Sequence, residues 1–120
     1  MSISNYAENA LLNTLNGTTF SVAAKYVKLH LGDPSDTGTA NAAANTTRQA
    51  VSFSTSTSGS VASSGTLTWS SVPSTETYTH WSLWDSVSTG NCLWTGQFAI
   101  GASVVAGDTF QITSLTLSLD

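Results

Sequence analysis

Charged side chains are scarce in this sequence. Three basic and seven acidic residues among 120 give a formal net charge of −4 and make up 8% of the chain, against about 25% in ordinary soluble proteins. Nucleic-acid binding and electrostatic attachment to a membrane both need a cluster of cations. Lys25, Lys28 and Arg48 are too few to form one. We therefore expect neither nucleic acid nor a membrane surface among the partners.

Cysteine and long apolar runs are scarce as well. Cys92 is the only cysteine, so an intrachain disulfide is impossible and packing must hold the fold together. The opening residues, MSISNYAENALLN, have neither the basic start nor the apolar core of a signal peptide, and they are not apolar enough to span a bilayer. We expect no signal peptide and no membrane-spanning helix.

Ser and Thr are abundant where other soluble proteins carry charge. Thr favours pleated, half-buried surfaces and Ser favours turns, whereas helical proteins cover their exposed faces with Glu, Lys and Arg. Only the beginning of the chain shows apolar residues at intervals of three and four, the spacing of a helix. This spacing predicts one short helix over residues 4–16, with Ser4 as its N-cap and Gly17 ending it.

Much of the remaining chain alternates apolar and polar side chains with the period of two that is typical of half-buried strands. The clearest strands are predicted at residues 25–31, 48–53, 77–85, 92–100 and 115–120. The third and fourth of these are expected to pair as a hairpin, and in the last one Leu115, Leu117 and Leu119 are expected to face inward. About seven to nine short strands predict an all-β single domain over residues 1–120, a β-sandwich or jelly roll with one short N-terminal helix.

Residues 32–47 interrupt the strand pattern. Gly32, Asp33 and Pro34 break the preceding strand, and the small residues that follow, SDTGTANAAANTT, offer no large side chain to a core. We expect a long exposed loop. Because loops longer than about 12 to 15 residues are uncommon unless they bind something, this loop is a candidate contact element, and a mobile surface excursion is the other interpretation.

The sequence contains no pattern typical of an active site. His30 and His80 lie within predicted strands without a nucleophile elbow nearby, and Cys92 adjoins apolar residues with which it can pack. Asp33 and Asp36 form the only close acidic pair, too few oxygen ligands for a calcium loop. Other carboxylates fall at predicted strand ends or turns: Glu76, Asp85 and Asp108. We expect no enzyme, no catalytic residue, no cofactor and no metal.

Aromatic residues are concentrated in the predicted hairpin. Strict alternation places Trp81 on one face of its strand and Tyr78 and Trp84 on the other, so they cannot all enter the same core layer. Three interpretations remain open, namely a subunit interface, a core covered by a loop, and a carbohydrate-binding platform. The candidate interface residues are Trp81, Trp84, Tyr78, Trp94, Asp33 and Pro34.

Six segments follow one another in a characteristic order and spacing. They are NYAENALLNTLNG, YVKLHLGDPSDTGTAN, RQAVSF, TLTWSSVPSTETYTHWSLWD, GNCLWTGQF and VVAGDTFQITSLTLSL. Together they resemble a family of small tailed-bacteriophage proteins, usually described as tail fibre or minor tail proteins. The resemblance covers the chain from about Asn5 onward, and YVKLHLGDP and THWSLWD carry most of it.

The resemblance implies a structural protein of the virion, assembled in the host cytoplasm, whose partners are other virion proteins. We expect a non-enzymatic tail fibre or tail-appendage component that forms a homo-oligomer, with a trimer as one option, through β-sheet faces and loops. A capsid decoration or cement protein is the alternative, because small β-sandwiches also serve in that role. A module that binds a host surface glycan is the third hypothesis.

Overall fold

Antiparallel strands dominate the fold, as a computed structural model that describes residues 2–119 shows. The single helix of this part of the chain is α1 (Asn5–Thr14). The strands are β1 (Ser2–Ile3), β2 (Tyr26–His30), β3 (Gln49–Ala50), β4 (Ser52–Phe53), β5 (Ser60–Ser64), β6 (Leu67–Trp69), β7 (Glu76–Trp84), β8 (Cys92–Val104), β9 (Phe110–Ile112) and β10 (Thr116–Ser118). The prediction of an all-β domain with one short N-terminal helix is confirmed.

The strands form two packed layers. One layer is a five-stranded sheet in the order β1-β8-β7-β2-β3, and the other consists of a three-stranded sheet, β10-β5-β4, and a two-stranded sheet, β6-β9. The predicted hairpin between β7 and β8 is confirmed, with Leu83 opposite Trp94 and Ser82 opposite Thr95. Buried residues from both layers form one core cluster, which is the arrangement of a β-sandwich.

The predicted strand over residues 48–53 is in fact two strands in different sheets. β3 pairs with β2 of the large sheet, and β4 pairs with β5 of the facing layer. Val51 lies between them, is buried, and donates its backbone N–H to Lys25 O over 3.0 Å. The chain crosses from one layer to the other at this residue. The alternation of side chains continues through such a crossing and therefore could not reveal it.

Helix α1 begins where the sequence predicts. Ser4 caps it, since its Oγ accepts a hydrogen bond from Ala7 N over 3.2 Å, and Gly17 follows with a left-handed φ of +87°. The helix ends at Thr14, two residues before the predicted boundary, and Ala7 is its only buried residue. No helix within residues 2–119 has the length and apolar character needed to cross a bilayer.

An irregularity in β7 and β8 alters the predicted alternation. Tyr78 lies opposite Ala102, but His80, two residues further on, lies opposite Gln97. Strand β8 therefore has additional residues at this point, as in a β-bulge. As a result Tyr78 and Trp81 join the same buried cluster, although strict alternation assigns them to opposite faces.

The C-terminal strand contributes two of the three expected core residues. Leu115 and Leu117 are 6% and 8% exposed, whereas Leu119 is 51% exposed. Strand β10 ends at Ser118, so Leu119 lies beyond the regular pairing that would direct it inward. The predicted end of the strand at Asp120 lies outside the described residues.

Candidate functional site

Residues 32–47, here called the strap, are held by their own turns. Asp33 Oδ1 accepts a hydrogen bond from Ser35 N over 2.9 Å, and Pro34 O accepts one from Ala40 N over 3.0 Å. Asn41 Nδ2 donates to Asp33 O over 2.8 Å. These bonds make a compact loop whose first turn is the kind that Asp favours. Asp33 therefore has a structural role in shaping the strap.

The strap packs against the large sheet through part of its length, although most of its residues are exposed. Its second half runs beside β2, where Leu31 N donates to Asn41 O over 2.8 Å and Ala43 N donates to Leu29 O over 3.2 Å. Four strap residues are buried: Pro34, Gly38, Ala43 and Asn45. The small side chains that offer little to a core allow the backbone to approach the sheet closely.

Gly38 is the point of closest approach between the strap and the sheet. Its φ is +72°, and a Cβ at this position would lie 2.5 Å from Cys92 Sγ and 3.0 Å from Trp84 Cζ2. The strap thus seals Cys92 and Trp84 from solvent. Burial raises the pKa of the Cys92 thiol to about 11, so the thiol stays protonated and is a poor nucleophile.

A chain of hydrogen bonds connects the strap to the sheet beneath it. Trp84 Nε1 donates to Ser82 Oγ over 2.7 Å, and Ser82 Oγ lies 2.7 Å from His30 Nε2. His30 Nδ1 lies 2.9 Å from Ala40 O. Because a carbonyl oxygen only accepts, Nδ1 carries the proton and the Ser82 hydroxyl donates to Nε2.

Burial and neighbouring positive charge keep His30 neutral. The residue is completely buried, and this burial lowers its pKa below the ordinary value of 6.5, with a smaller contribution from Lys28 and His80. A serine within hydrogen-bond distance of a histidine can act as a nucleophile and base in enzymes. Here a backbone carbonyl replaces the orienting carboxylate, and the strap leaves no path for a substrate.

Two cations cover the ring of Trp84. Arg48 Cζ lies 4.2 Å from the ring centroid and Lys28 Nζ lies 5.9 Å from it. Arg48 Nη1 also donates to Ser86 O and Thr89 O, each over 2.8 Å. Arg48 therefore combines a cation–π contact with bonds that hold the β7–β8 turn. Sequence reasoning missed this role, because 36 positions separate Arg48 from Trp84 along the chain.

The structure places the aromatic candidate interface residues in the interior of the fold. Trp81, Trp84, Tyr78 and Trp94 are between 0% and 8% exposed, and Pro34 is also buried. They form part of the interior of the chain, and Trp94 also lines the apolar groove described below. Trp84 is 7% exposed and lies beneath Gly38 of the strap, which is the arrangement that the interpretation as core covered by a loop describes. The carbohydrate-platform interpretation lacks an exposed ring, since the remaining tryptophan, Trp69, is 1% exposed.

Carboxylates that were considered for catalysis have structural partners. Each accepts a hydrogen bond from a backbone N–H, over 2.7 Å for Glu76 and Asp85 and 2.9 Å for Asp108. Asp33 and Asp36 border a small polar recess with His80. Within residues 2–119 there is no group of three or more side chains that could hold a metal ion.

An apolar groove beside α1 was not predicted from the sequence. It has a volume of about 290 Å³ and opens between the two sandwich layers. Its lining includes Ile3, Leu11, Phe20, Val61, Trp94 and Leu117. On the adjoining end of α1, Leu12 and Leu15 are 61% and 84% exposed. The spacing of apolar residues in the helix was the signal from which an apolar helix face could have been inferred. The sequence did not show that no other part of the fold would cover this face.

Comparison with known protein families gives one match that spans nearly the whole chain. The model of the family described as "Podophage GP4 fiber I protein gp80" matches residues 2–120. The matched region contains α1, the strap and the groove. A comparison with curated proteins finds no match.

Proposed function

Because the chain belongs to the podophage GP4 fiber I protein gp80 family, we propose that it is a non-enzymatic fibre subunit that packs against further copies of itself through the apolar groove beside α1. The sequence-based resemblance to tail fibre proteins is confirmed by the family match, and the chain is a structural protein of a phage virion. The contact with other copies is the part that requires a test.

The exposed apolar surface at α1 is the observation that carries this proposal. Leu15 is 84% exposed and caps α1 one helical turn after Leu11, which lines the groove together with Phe20. Exposed apolar patches of this kind on soluble proteins mark interaction sites. The protruding leucines and the recess belong to the same part of the chain, so identical subunits can satisfy both in a symmetric contact. The contact was expected at β-sheet faces and loops, but the aromatic side chains of β7 and β8 that prompted this expectation are buried within the monomer.

The non-enzymatic part of the proposal is supported by the state of the reactive groups. His30 and Ser82 form a hydrogen-bonded pair, but the strap encloses them. Cys92 is buried with a raised pKa. A catalytic pair needs access to a substrate and a positioned third group, and neither is available to these residues.

Light scattering coupled to gel filtration tests the self-association. We expect the wild-type protein to elute with the mass of two or more chains, and Leu15→Gln to shift it toward the monomer. Ile100→Gln is the matched control, because Ile100 is 85% exposed but does not line the groove. A wild-type protein that remains monomeric at high concentration, or equal dissociation in both variants, would refute the contact.

Immunogold labelling of intact particles tests the position in the virion. A fibre subunit places the label on the tail. The alternative of a capsid decoration protein places it over the head. Label confined to the head would overturn the fibre role while leaving the self-association experiment interpretable, because the two experiments measure different properties.

A further inference from the structure

We propose that the strap is a pH-sensitive lid, in which protonation of His30 releases residues 32–47 from the sheet and exposes the face that carries Trp84 and Cys92. This inference concerns a conformational change within one chain. It is independent of the self-association at the groove and of the fibre role.

His30 is one of the side chains that link the sheet to the strap; Glu76, which accepts a hydrogen bond from Ala44 N over 2.7 Å, is another. His30 is completely buried at the end of β2, and its Nδ1–H donates to Ala40 O over 2.9 Å. The adjacent strap contacts are the backbone bonds from Leu31 N to Asn41 O and from Ala43 N to Leu29 O. Protonation of His30 therefore acts next to the backbone hydrogen bonds that hold the strap against β2.

Protonation of His30 conflicts with the hydrogen bonds on its other side. Ser82 Oγ already accepts from Trp84 Nε1, and its hydroxyl hydrogen points toward His30 Nε2. A protonated imidazole donates from both nitrogens, so the Ser82 hydroxyl must turn away and lose its acceptor. A buried donor without a partner and a buried charge both cost free energy. Opening of the strap lets water accept a hydrogen bond from the Ser82 hydroxyl and solvate the charge on His30.

The charged groups around His30 add to the conflict. Lys28 on the same strand and His80 on the facing strand β7 both oppose a positive charge on His30. Arg48, over the neighbouring Trp84 ring, adds a further cation to this face. The strap carboxylates Asp33 and Asp36 are not among the groups that act on the pKa of His30. The backbone carbonyls of Ala40 and Asn41 in the strap favour protonation, but the effect of burial is larger.

The strap itself is held under backbone strain. Ser35 and Asn41 have φ values of +65° and +52°, in the left-handed region that non-glycine residues rarely adopt. Each such residue costs free energy unless its surroundings compensate. Release of the strap relieves this strain, so the closed state depends on the hydrogen bonds between strap and sheet and on the close packing at Gly38.

Labelling of Cys92 measures the opening, since the strap covers its thiol. We would label the folded protein between pH 7.5 and pH 5 with 4,4′-dithiodipyridine, which reacts with thiols in acid, and normalise each rate to that of the denatured chain. The normalised rate should rise as the pH falls, by at most about tenfold per pH unit, the limit for one proton. Circular dichroism at each pH distinguishes lid opening from global unfolding.

Two variants identify which histidine causes the pH dependence of Cys92 labelling. His30→Asn keeps a donor for Ala40 O but cannot be protonated, so its labelling rate should not change with pH. His80→Asn removes the other histidine of this region and should behave as the wild type. Equal pH dependence in His30→Asn and the wild type would overturn the proposal, and so would labelling that rises only when the circular dichroism signal is lost.

Hydrogen exchange provides a test that needs no variant. After correction for intrinsic exchange rates, we expect the amides of Leu31 and Ala43 to lose protection at pH 5 while those of the β7–β8 hairpin keep it. Simultaneous loss of protection in both regions would indicate global unfolding and would contradict a lid.

Discussion

Replacement of Gly38 by Ala tests how closely the strap packs against the large sheet at this residue. The added Cβ would lie 2.5 Å from Cys92 Sγ and 2.9 Å from Cys92 Cβ. Both neighbours are part of the packed sheet and cannot move as a flexible side chain would. The strap must therefore shift outward or the residues beneath it must rearrange.

The expected loss of stability has two contributions. The φ of +72° at Gly38 costs an alanine about 1 to 2 kcal/mol, because a Cβ in the left-handed region meets the following carbonyl oxygen. Overpacking against Cys92 and Trp84 costs about 1 to 3 kcal/mol more. We expect Gly38→Ala to lower the free energy of unfolding by about 2 to 5 kcal/mol.

Gly65→Ala separates these two contributions. Gly65 has a similar φ of +82°, but a Cβ there would meet no atom within 4 Å. This control should lose only the backbone contribution of about 1 to 2 kcal/mol. Urea denaturation followed by tryptophan fluorescence gives both free energies of unfolding with one assay.

The same two variants are also compared by the rate at which the Cys92 thiol is labelled at neutral pH. Gly38→Ala should increase the labelling rate of this thiol in the folded protein, and Gly65→Ala should leave it unchanged. If the two variants lose equal stability and Cys92 stays protected in both, then the close packing of the strap at Gly38 is not what shields Cys92 and Trp84 from solvent.

Three further changes have expected results. Gly96→Ala would place a Cβ against the Trp81 indole, so urea denaturation should show a loss of about 1 to 3 kcal/mol; an unchanged midpoint would contradict this packing. Leu117→Ala should cost about 2 to 5 kcal/mol because Leu117 is 8% exposed, whereas Leu119→Ala, at a residue 51% exposed, should cost far less; equal losses would be inconsistent with the structure of β10. Since burial lowers the pKa of His30 in the folded state, the unfolded chain takes up the proton at higher pH. Stability is then full above pH 6.5 and falls as the pH drops below it, by at most about 1.4 kcal/mol per pH unit, and His30→Asn should reduce this slope in denaturation experiments at a series of pH values.

Local patterns in the sequence were sufficient for many of the elements. The period of two located β7 and β8, and the position of Ser4 before a helical spacing located the start of α1. These features depend on residues that are close along the chain. The crossing at Val51 and the bulge near Tyr78 depend on which strand lies alongside, so a single sequence did not contain a signal for them.

The buried strap shows a second limit of sequence reasoning. Its composition of small residues indicated a loop without core contacts, but small residues also allow a backbone to lie directly on a sheet, as Gly38 does on Cys92. The polar chain from Trp84 through Ser82 to His30 joins residues up to 54 positions apart. Alternation placed Ser82 and Trp84 on one face of their strand, but it could not identify that His30 lies beside them or what covers that face.

The unequal layers of the sandwich explain why the groove exists. One layer is a continuous five-stranded sheet, whereas the facing layer is divided into sheets of three and two strands. The inner face of the large sheet, at Leu93 and Trp94, therefore extends to an opening that α1 covers mainly with Ala7. Apolar surface left open in this way is stabilised when water is removed from it. Because charged residues are rare on this chain, the self-association proposed above would depend on burial of apolar area at the groove rather than on electrostatic attraction.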